Sequence, residues 1–426
     1  SDQGRHFFRM FNGMGDDQRA ASYLNGKSFE QAVLDNTLST EVFYEMMKLK
    51  GVYLRNYINS RLSSNEFKEF MAEFTKRYQF QEVNFTRLNS EFIRKFHFNL
   101  MDFIPNWYTI NSTPRFIVKG VDADQVEVGD YTKYIVKFQV YNPTNVEGVI
   151  SVNVEEGGGM FPGGPRGRRG RAAQMEAKPA KNYIIEPQKY KEIRILCDER
   201  PSNLTINTNI SQNLPSTIMQ NFAKVTTTTT DTVTGIFDSN ATLFTFNPKE
   251  ITVDNEDPGF RIIESNQKNK LQSFFKKESE DKYKNLNFWM PPSRWTATIG
   301  VNYYGDYINS AVYKKSGSGS NKTEWTTQIQ IPGFYEVFVY TSELPMMGWR
   351  HRGGEEKKIQ YYTVKHDDGE EEISVETGRG RQGWRTLGSF YFSKGEAKIT
   401  LSDKGSESNQ IIFADAVKWV YTNNNK

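Results

Sequence analysis

The hydrophobic period of this chain changes once, near residue 112, and the change limits what either side can build. Before it, apolar residues recur at three- to four-residue spacing, the period of an amphipathic helix. After it they alternate in short runs separated by turn residues, the period of strands. In LSTEVFYEMMKLKGVYLRNYINSRL, residues Val42, Phe43, Met46, Met47, Leu49, Leu54, Tyr57 and Ile58 define one helical face behind an N-cap at Ser39 or Thr40. SSNEFKEFMAEFTKRY opens with Ser63-x-x-Glu66, a capping box, and carries Phe67, Phe70, Met71, Phe74 and Tyr78 on one side. A third helix is predicted after Asn84, and a shorter one, NLMDFIPNWY, is interrupted near Pro105.

Beyond residue 112, PRFIVKGVDAD, YTKYIVKFQVYN, GVISVNVEE, KNYIIEP, YKEIRILCDE, NLTINTNISQN and TLFTFNP read as strands of an antiparallel, Ig-like β-sandwich. Inside it, residues 157–181 are too rich in Gly, Pro and Arg to form a core and read as a hairpin loop. A second series runs to the end: EWTTQIQI, GFYEVFVYT, IQYYTVKHDDG, EEISVET, GWRTLGSFYFSKG, EAKITLSD and IIFADAVKWVY. The expected fold is therefore α+β and multidomain: a helical segment at 1–110, an Ig-like sandwich at 111–249 and a second antiparallel sandwich at 250–426.

Several functions are excluded or weakened by what the sequence contains. A net charge of +3 on 426 residues leaves no polyanion footprint, so no nucleic-acid partner is expected. No H-E-x-x-H, phosphate-binding loop, G-x-S-x-G or dinucleotide fingerprint occurs, so neither a metal nor a cofactor is expected. The single cysteine, Cys197, falls in a strand and reads as a reduced core residue. No apolar run reaches the ~20 residues that span a bilayer. The polar, aromatic opening SDQGRHFFRMFNGMGDDQ reads as a chain entered in mid-protein, with any signal or anchor upstream.

Four sets of residues are candidates for chemistry. Arg166, Arg168, Arg169 and Arg171 in the Gly-rich loop could hold an anion, against the simpler reading of a solvated insertion. His366, in VKHDDG, lies at a hairpin turn and reads as structural. Asp415, in ADAVKW, is flanked by apolar residues and must accept hydrogen bonds from a nearby turn or from His366. Among Trp295, Trp325, Trp349 and Trp384, the strand tryptophans, Trp384 included, read as core. Trp349 is in a loop, and with Arg350, His351 and Arg352 beside it offers a stacking face and hydrogen-bond donors suited to an acidic sugar.

VDNEDPGF, EWTTQIQIPGFYEVFVY, YYTVKHDDG, GWRTLGSFYFSKGEAKITLSD and IIFADAVKWV together resemble the golvesin C-terminal-like domain, often labelled a xanthan-lyase-type carbohydrate-binding domain. The resemblance covers roughly 250–423 and rests on the order His366-x-x-Gly369, Trp384-x-x-Leu387-Gly388 and Ala414-Asp415-Ala416-Val417. It implies a golvesin or jelly-roll-like sandwich with an accessory role and no catalytic residues to carry over. Residues 37–250 are similar to the helical tail and following sandwich of aminopeptidase N-type zinc peptidases. That likeness would place the zinc-ligand helices before residue 1, in a larger protein joined to a membrane transporter. Together the two imply a non-catalytic part of a bacterial cell-envelope protein, on the periplasmic or extracellular face. Its partner would be a glycan or an envelope protein, and it would meet a membrane only through an upstream anchor. The alternatives are a polysaccharide lyase or hydrolase, and a membrane-surface adaptor acting through the Arg loop.

Overall fold

Helix caps set the first part of the molecule. The computed structural model describes residues 16–157, 180–222, 225, 227–264, 282–342, 358–378 and 380–422. Its helices are α1 (Asp16–Leu24), α2 (Phe29–Leu34), α3 (Thr40–Asn59), α4 (Ser64–Arg77), α5 (Phe85–Phe96) and α6 (Ile104–Thr109). The Ser39 hydroxyl accepts the Val42 N–H at the start of α3. Ser63 and Glu66 form the expected reciprocal box before α4, each side chain accepting the other's backbone N–H. Asn84 caps α5. The helices α1 and α2 precede the segment that the periodicity marks. Among the described residues no helix is long and apolar enough to cross a membrane.

The chain separates into two compact units, Asp16–Phe244 and Thr245–Lys426. In the first, the helices pack around two aromatic-rich clusters. One joins Leu24, Phe29 and Met46 with Trp107 and Tyr108. The other joins Ile58, Phe70, Phe92 and Leu100. The strands are β1 (Ile117–Val128), β2 (Tyr131–Tyr141), β3 (Gly148–Glu156), β4 (Lys181–Ile185), β5 (Tyr190–Cys197), β6 (Pro201–Asn207), β7 (Thr217–Asn221), β8 (Thr228–Thr229) and β9 (Gly235–Asp238). They form a sheet of order β8-β1-β2-β5-β9 and another of order β4-β3-β6-β7. Inward residues of both, among them Phe138, Ile150, Ile193, Ile206 and the buried Cys197, share one core. Tyr57 of α3, Phe103 and Val149 of β3 form a further cluster that ties helices to sandwich. TLFTFNP departs from expectation. It forms a 3-10 turn at Thr242–Phe244, and Phe244 packs on Tyr141 and Tyr190 instead of adding a strand.

The second unit holds β10 (Glu250–Val253), β11 (Phe260–Ile263), β12 (Thr296–Ile299), β13 (Ser310–Lys315), β14 (Lys322–Ile329), β15 (Gly333–Thr341), β16 (Lys358–His366), β17 (Gly369–Thr377), β18 (Gly383–Phe392), β19 (Gly395–Gly405), β20 (Ile411–Ala414) and β21 (Val417–Thr422). Three sheets result, ordered β10-β21-β15-β18, β11-β14-β19-β16-β17 and β12-β13-β20. Trp325, Tyr335, Tyr362 and Trp419, each at most 1% exposed, fill the centre of a single core drawn from all three sheets. The run IIFADAVKWVY is two strands, not one. The chain leaves the three-stranded sheet after Ala414, turns through Asp415 and Ala416, and enters the four-stranded sheet.

Candidate functional site

The sheet β10-β21-β15-β18 has aromatic side chains on both faces. On β15, Tyr335, Val337 and Val339 point into the core, so Phe334, Phe338 and Tyr340 lie on the outer face. Counting back by twos from the buried Phe392 and Phe390 would put Trp384 inside as well. It is not inside, because β18 carries a bulge. Val337 pairs with Gly388 and Phe338 with Thr386, which leaves Leu387 as an extra residue. One extra residue reverses which side chains face inward. Gly388 sits at φ +134°, a backbone region that favours glycine. The Leu-Gly pair is thus the bulge itself, and Trp384 stands half-buried on the outer face, which corrects its assignment to the core.

Trp384 lies directly opposite Tyr340, with ring centroids 5.3 Å apart at 82°. Tyr304, from the β12–β13 connection, completes a trio at 5.1 Å from Trp384 and 5.7 Å from Tyr340. The Lys418 ammonium sits 4.7 Å from the Trp384 ring. Further along the same face, Phe334 and Tyr391 pair across the strands at 5.4 Å, each 37% exposed.

Beneath the trio is a group of buried carboxyls. Asp415, 1% exposed, accepts at Oδ2 from the Tyr304 N–H (3.3 Å) and the Ser342 hydroxyl (3.0 Å). Its backbone carbonyl accepts from the Trp325 indole at 3.0 Å. Its Oδ1 has no hydrogen-bond partner among the described residues. The β10–β21 register, Val253 opposite Val417, brings Asp254 to the same end of the sheet. Burial pushes both carboxyls above the usual range, and the charge of Asp415 pushes Asp254 further. Asp257, which accepts the Asp254 N–H, is also raised, first by burial. Burial likewise raises the Tyr304 phenol, with help from Asp306.

A second buried carboxylate in this unit is arranged differently. Asp403, 0% exposed, pairs with the Lys314 ammonium, itself 3% exposed. It also accepts from the Gly319 N–H (2.7 Å) and the Asn321 amide (2.9 Å). Burial alone would raise this carboxyl, but the Lys314 and Asn321 bonds and the Lys314 charge outweigh it and hold it below the ordinary range. A Cβ on Gly317 would stand 2.4 Å from Asp403 Oδ2, so the loop SGSGS needs glycine to close on the carboxylate.

His366 ends β16 at the hairpin to β17, opposite Gly369, and its ring packs 5.0 Å from Phe390. Neighbouring Asp367 accepts from the Ser393 N–H at 3.0 Å. Among the described residues His366 Nδ1 has no hydrogen-bond partner, and His366 and Asp415 share no hydrogen bond. Arg385 bonds the carbonyls of Arg381 and Gly380 and does not join them in a cleft. Trp349, Arg350, His351 and Arg352 lie outside the described residues, as do Arg166, Arg168, Arg169 and Arg171. The segment bearing Trp349 follows Ser342, which bonds Asp415. Among the described residues, no group of three or more His, Cys, Asp or Glu side chains is placed to hold a metal. The residues missed in the sequence are Tyr304, Tyr340, Asp254 and the Lys314–Asp403 pair. Only the Asp-Asn-Glu-Asp run at 254–257 offered a signal, as a dense carboxylate turn after a strand.

The bulged Trp-x-x-Leu-Gly strand and the Ala-Asp-Ala-Val crossing both lie within one family match. Residues 284–421 match the Golvesin C-terminal domain. No curated protein sequence matches the chain significantly. Among solved structures, a Paenibacillus xanthan lyase is similar at 14% identity over 72% of this chain, with a TM-score of 0.29. This chain spans 26% of that lyase. An exo-β-1,3-galactanase from Phanerochaete chrysosporium is similar at 14% identity over 31% of this chain and 27% of its own, with a TM-score of 0.20. A two-domain protein of unknown function from Bacteroides fragilis is similar at 10% identity over 72% of this chain and 94% of its own, with a TM-score of 0.17. The family match identifies residues 284–421 as a golvesin domain.

Proposed function

We propose that the golvesin domain is a carbohydrate-recognition module whose sugar-stacking surface is the outer face of β15 and β18, centred on Trp384. The observation that carries this reading is the half-buried trio Tyr304–Tyr340–Trp384 with Lys418 over the indole. Aromatic faces on a rigid sheet offer large contact area at little entropic loss, and a nearby ammonium favours an acidic sugar. The exposed pair Phe334–Tyr391 extends the surface along the strands, which suits an extended polymer. Arg350, His351 and Arg352 would add donors for acidic groups, and Trp349 a further stacking face.

The raised carboxyls do not favour turnover. Asp415 is sealed beneath Tyr304, whereas a general acid must reach the glycosidic oxygen. On this reading the chain is a non-catalytic, scaffolding and recognition portion of a larger exported protein, working at the cell envelope.

The test is affinity electrophoresis and calorimetry of the whole chain against acidic and neutral polysaccharides. Wild type should bind an acidic polymer, and Trp384→Ala should weaken binding by about tenfold or more while leaving the circular dichroism spectrum intact. Binding unaffected by Trp384→Ala would move the site elsewhere, and no binding to any polysaccharide would discard the reading.

A further inference from the structure

Helix α3 buries a lysine that has no counter-charge among the described residues. Lys48 is exposed, but two residues on, Lys50 is 4% exposed. Its ammonium donates to the Trp107 carbonyl at 2.7 Å, and the Trp107 indole donates back to the Lys50 carbonyl at 3.1 Å. The indole ring also lies 5.5 Å from the ammonium. One carbonyl serves a group with three N–H donors, and among the described residues no carboxylate is within ion-pair distance of it. A buried, unpaired ammonium is costly, by several kcal/mol in general. Burial accordingly pushes the Lys50 amine down to about 8.

Lys50 lines a cavity of about 420 Å³ that lies wholly within the Asp16–Phe244 unit. That volume falls within the roughly 300–1,000 Å³ of small-molecule sites. Its walls are mostly apolar: Leu24, Tyr53, Phe103, Trp107 and Ile210. Exposed Ser112 and Asn145 form part of the lining, so the cavity opens to solvent. Glu147 also lies on the wall, and its negative charge raises the Tyr53 and Tyr57 phenols beyond what burial does.

We propose that this cavity is a binding site for a small monocarboxylate with an apolar body. The carboxylate pairs with Lys50 Nζ, and the body packs on Trp107, Tyr53 and Phe103. A single cation calls for a single negative charge, and Glu147 on the same wall disfavours a phosphate dianion. The carboxylate supplies the acceptors that the ammonium lacks, so the pair forms where water is largely excluded and is stronger than on the surface. The site is separate from the golvesin domain and does not depend on the glycan reading.

Calorimetry of the whole chain tests it with phenylacetate, 4-phenylbutyrate and hexanoate, each against its primary amide. At least one acid should bind, with the matching amide weaker by about tenfold or more. Lys50→Met replaces the buried charge with an apolar chain of similar length. It should melt no lower than wild type and lose the acid's advantage over the amide. Should that variant fail to fold, trinitrobenzenesulfonate labelling of wild type, read by peptide mass spectrometry, gives the same information, because bound acid should protect Lys50. Failure of all three acids to bind at millimolar concentration would overturn the proposal. So would equal binding of acid and amide, or Lys50 labelling that ignores a bound acid.

Discussion

Asp403 and Asp415 are both sealed inside the same unit, yet they are held by opposite means. Asp403 meets a buried ammonium, a backbone N–H and an amide, and its carboxyl is held down. Asp415 meets two neutral donors and is pushed up by burial, and Asp254 is pushed up by burial and by the charge of Asp415. Both side chains are closed to solvent, but burial raises Asp415 while its two neutral donors do not offset it, whereas at Asp403 the Lys314 and Asn321 bonds and the Lys314 charge outweigh burial. One site holds a charge in place, and the other favours protonated carboxyls.

The largest expected effect tests the first site. Asp403→Ala strands the Lys314 ammonium in the core and should destabilise this unit by about 3–5 kcal/mol, measured by urea unfolding. The double variant Lys314→Met, Asp403→Leu should cost clearly less than the single one. Equal losses would show that packing, not charge, holds the site.

Acidity separates the two sites next. The folded state raises the Asp254 and Asp415 carboxyls, so their stabilisation is complete below the unfolded carboxylate range and is lost as pH rises through their folded values. Asp403 behaves the other way, since its depressed carboxyl contributes above the unfolded value and loses that as pH falls through its folded value. Between about pH 5 and about pH 8 the slope in this unit therefore belongs to the raised carboxyls Asp254, Asp257 and Asp415. The melting temperature should fall by several degrees across that window, and Asp254→Asn should remove much of the fall. A profile that Asp254→Asn leaves unchanged would end the contrast.

Two smaller changes sharpen it. Ser342→Ala removes one donor to Asp415 and should cost about 1 kcal/mol, with a steeper loss at alkaline pH. Replacing residues 158–179 by a short Gly-Ser linker leaves the residues of both carboxylate sites unchanged. The flanking strands β3 and β4 already pair, Val152 opposite Lys181, so the melting temperature should shift by no more than a few degrees.

What could be read from the sequence was local. Ser39, Ser63 and Asn84 announced their helices because a cap needs only residues three apart. Alternation gave most strands and, with the family resemblance, the α+β plan. The sites escaped for reasons of distance and parity. Lys314 and Asp403 are 89 residues apart, and neither strand shows that its charged residue faces inward. Alternation tells which residues share a face but not where a bulge exchanges the faces, so Trp384 was assigned to the wrong side. IIFADAVKWVY alternates without a visible break, and only its partners, β13 on one side and β15 on the other, divide it.

That division also sets an order of assembly. β21 lies between β10 and β15, pairing Glu250 with Val420 and Glu336 with Val420. During synthesis β10, β15 and β18 emerge long before it, and β10 has no other partner in its sheet. The ribosome thus releases an incomplete sheet whose middle is supplied last, and the outer aromatic face has no settled backing until then. Contacts so distant along the chain make closure slow. A chain in which β21 has not yet docked holds a golvesin domain with exposed strand edges, the form most open to capture by chaperones or by another copy of itself.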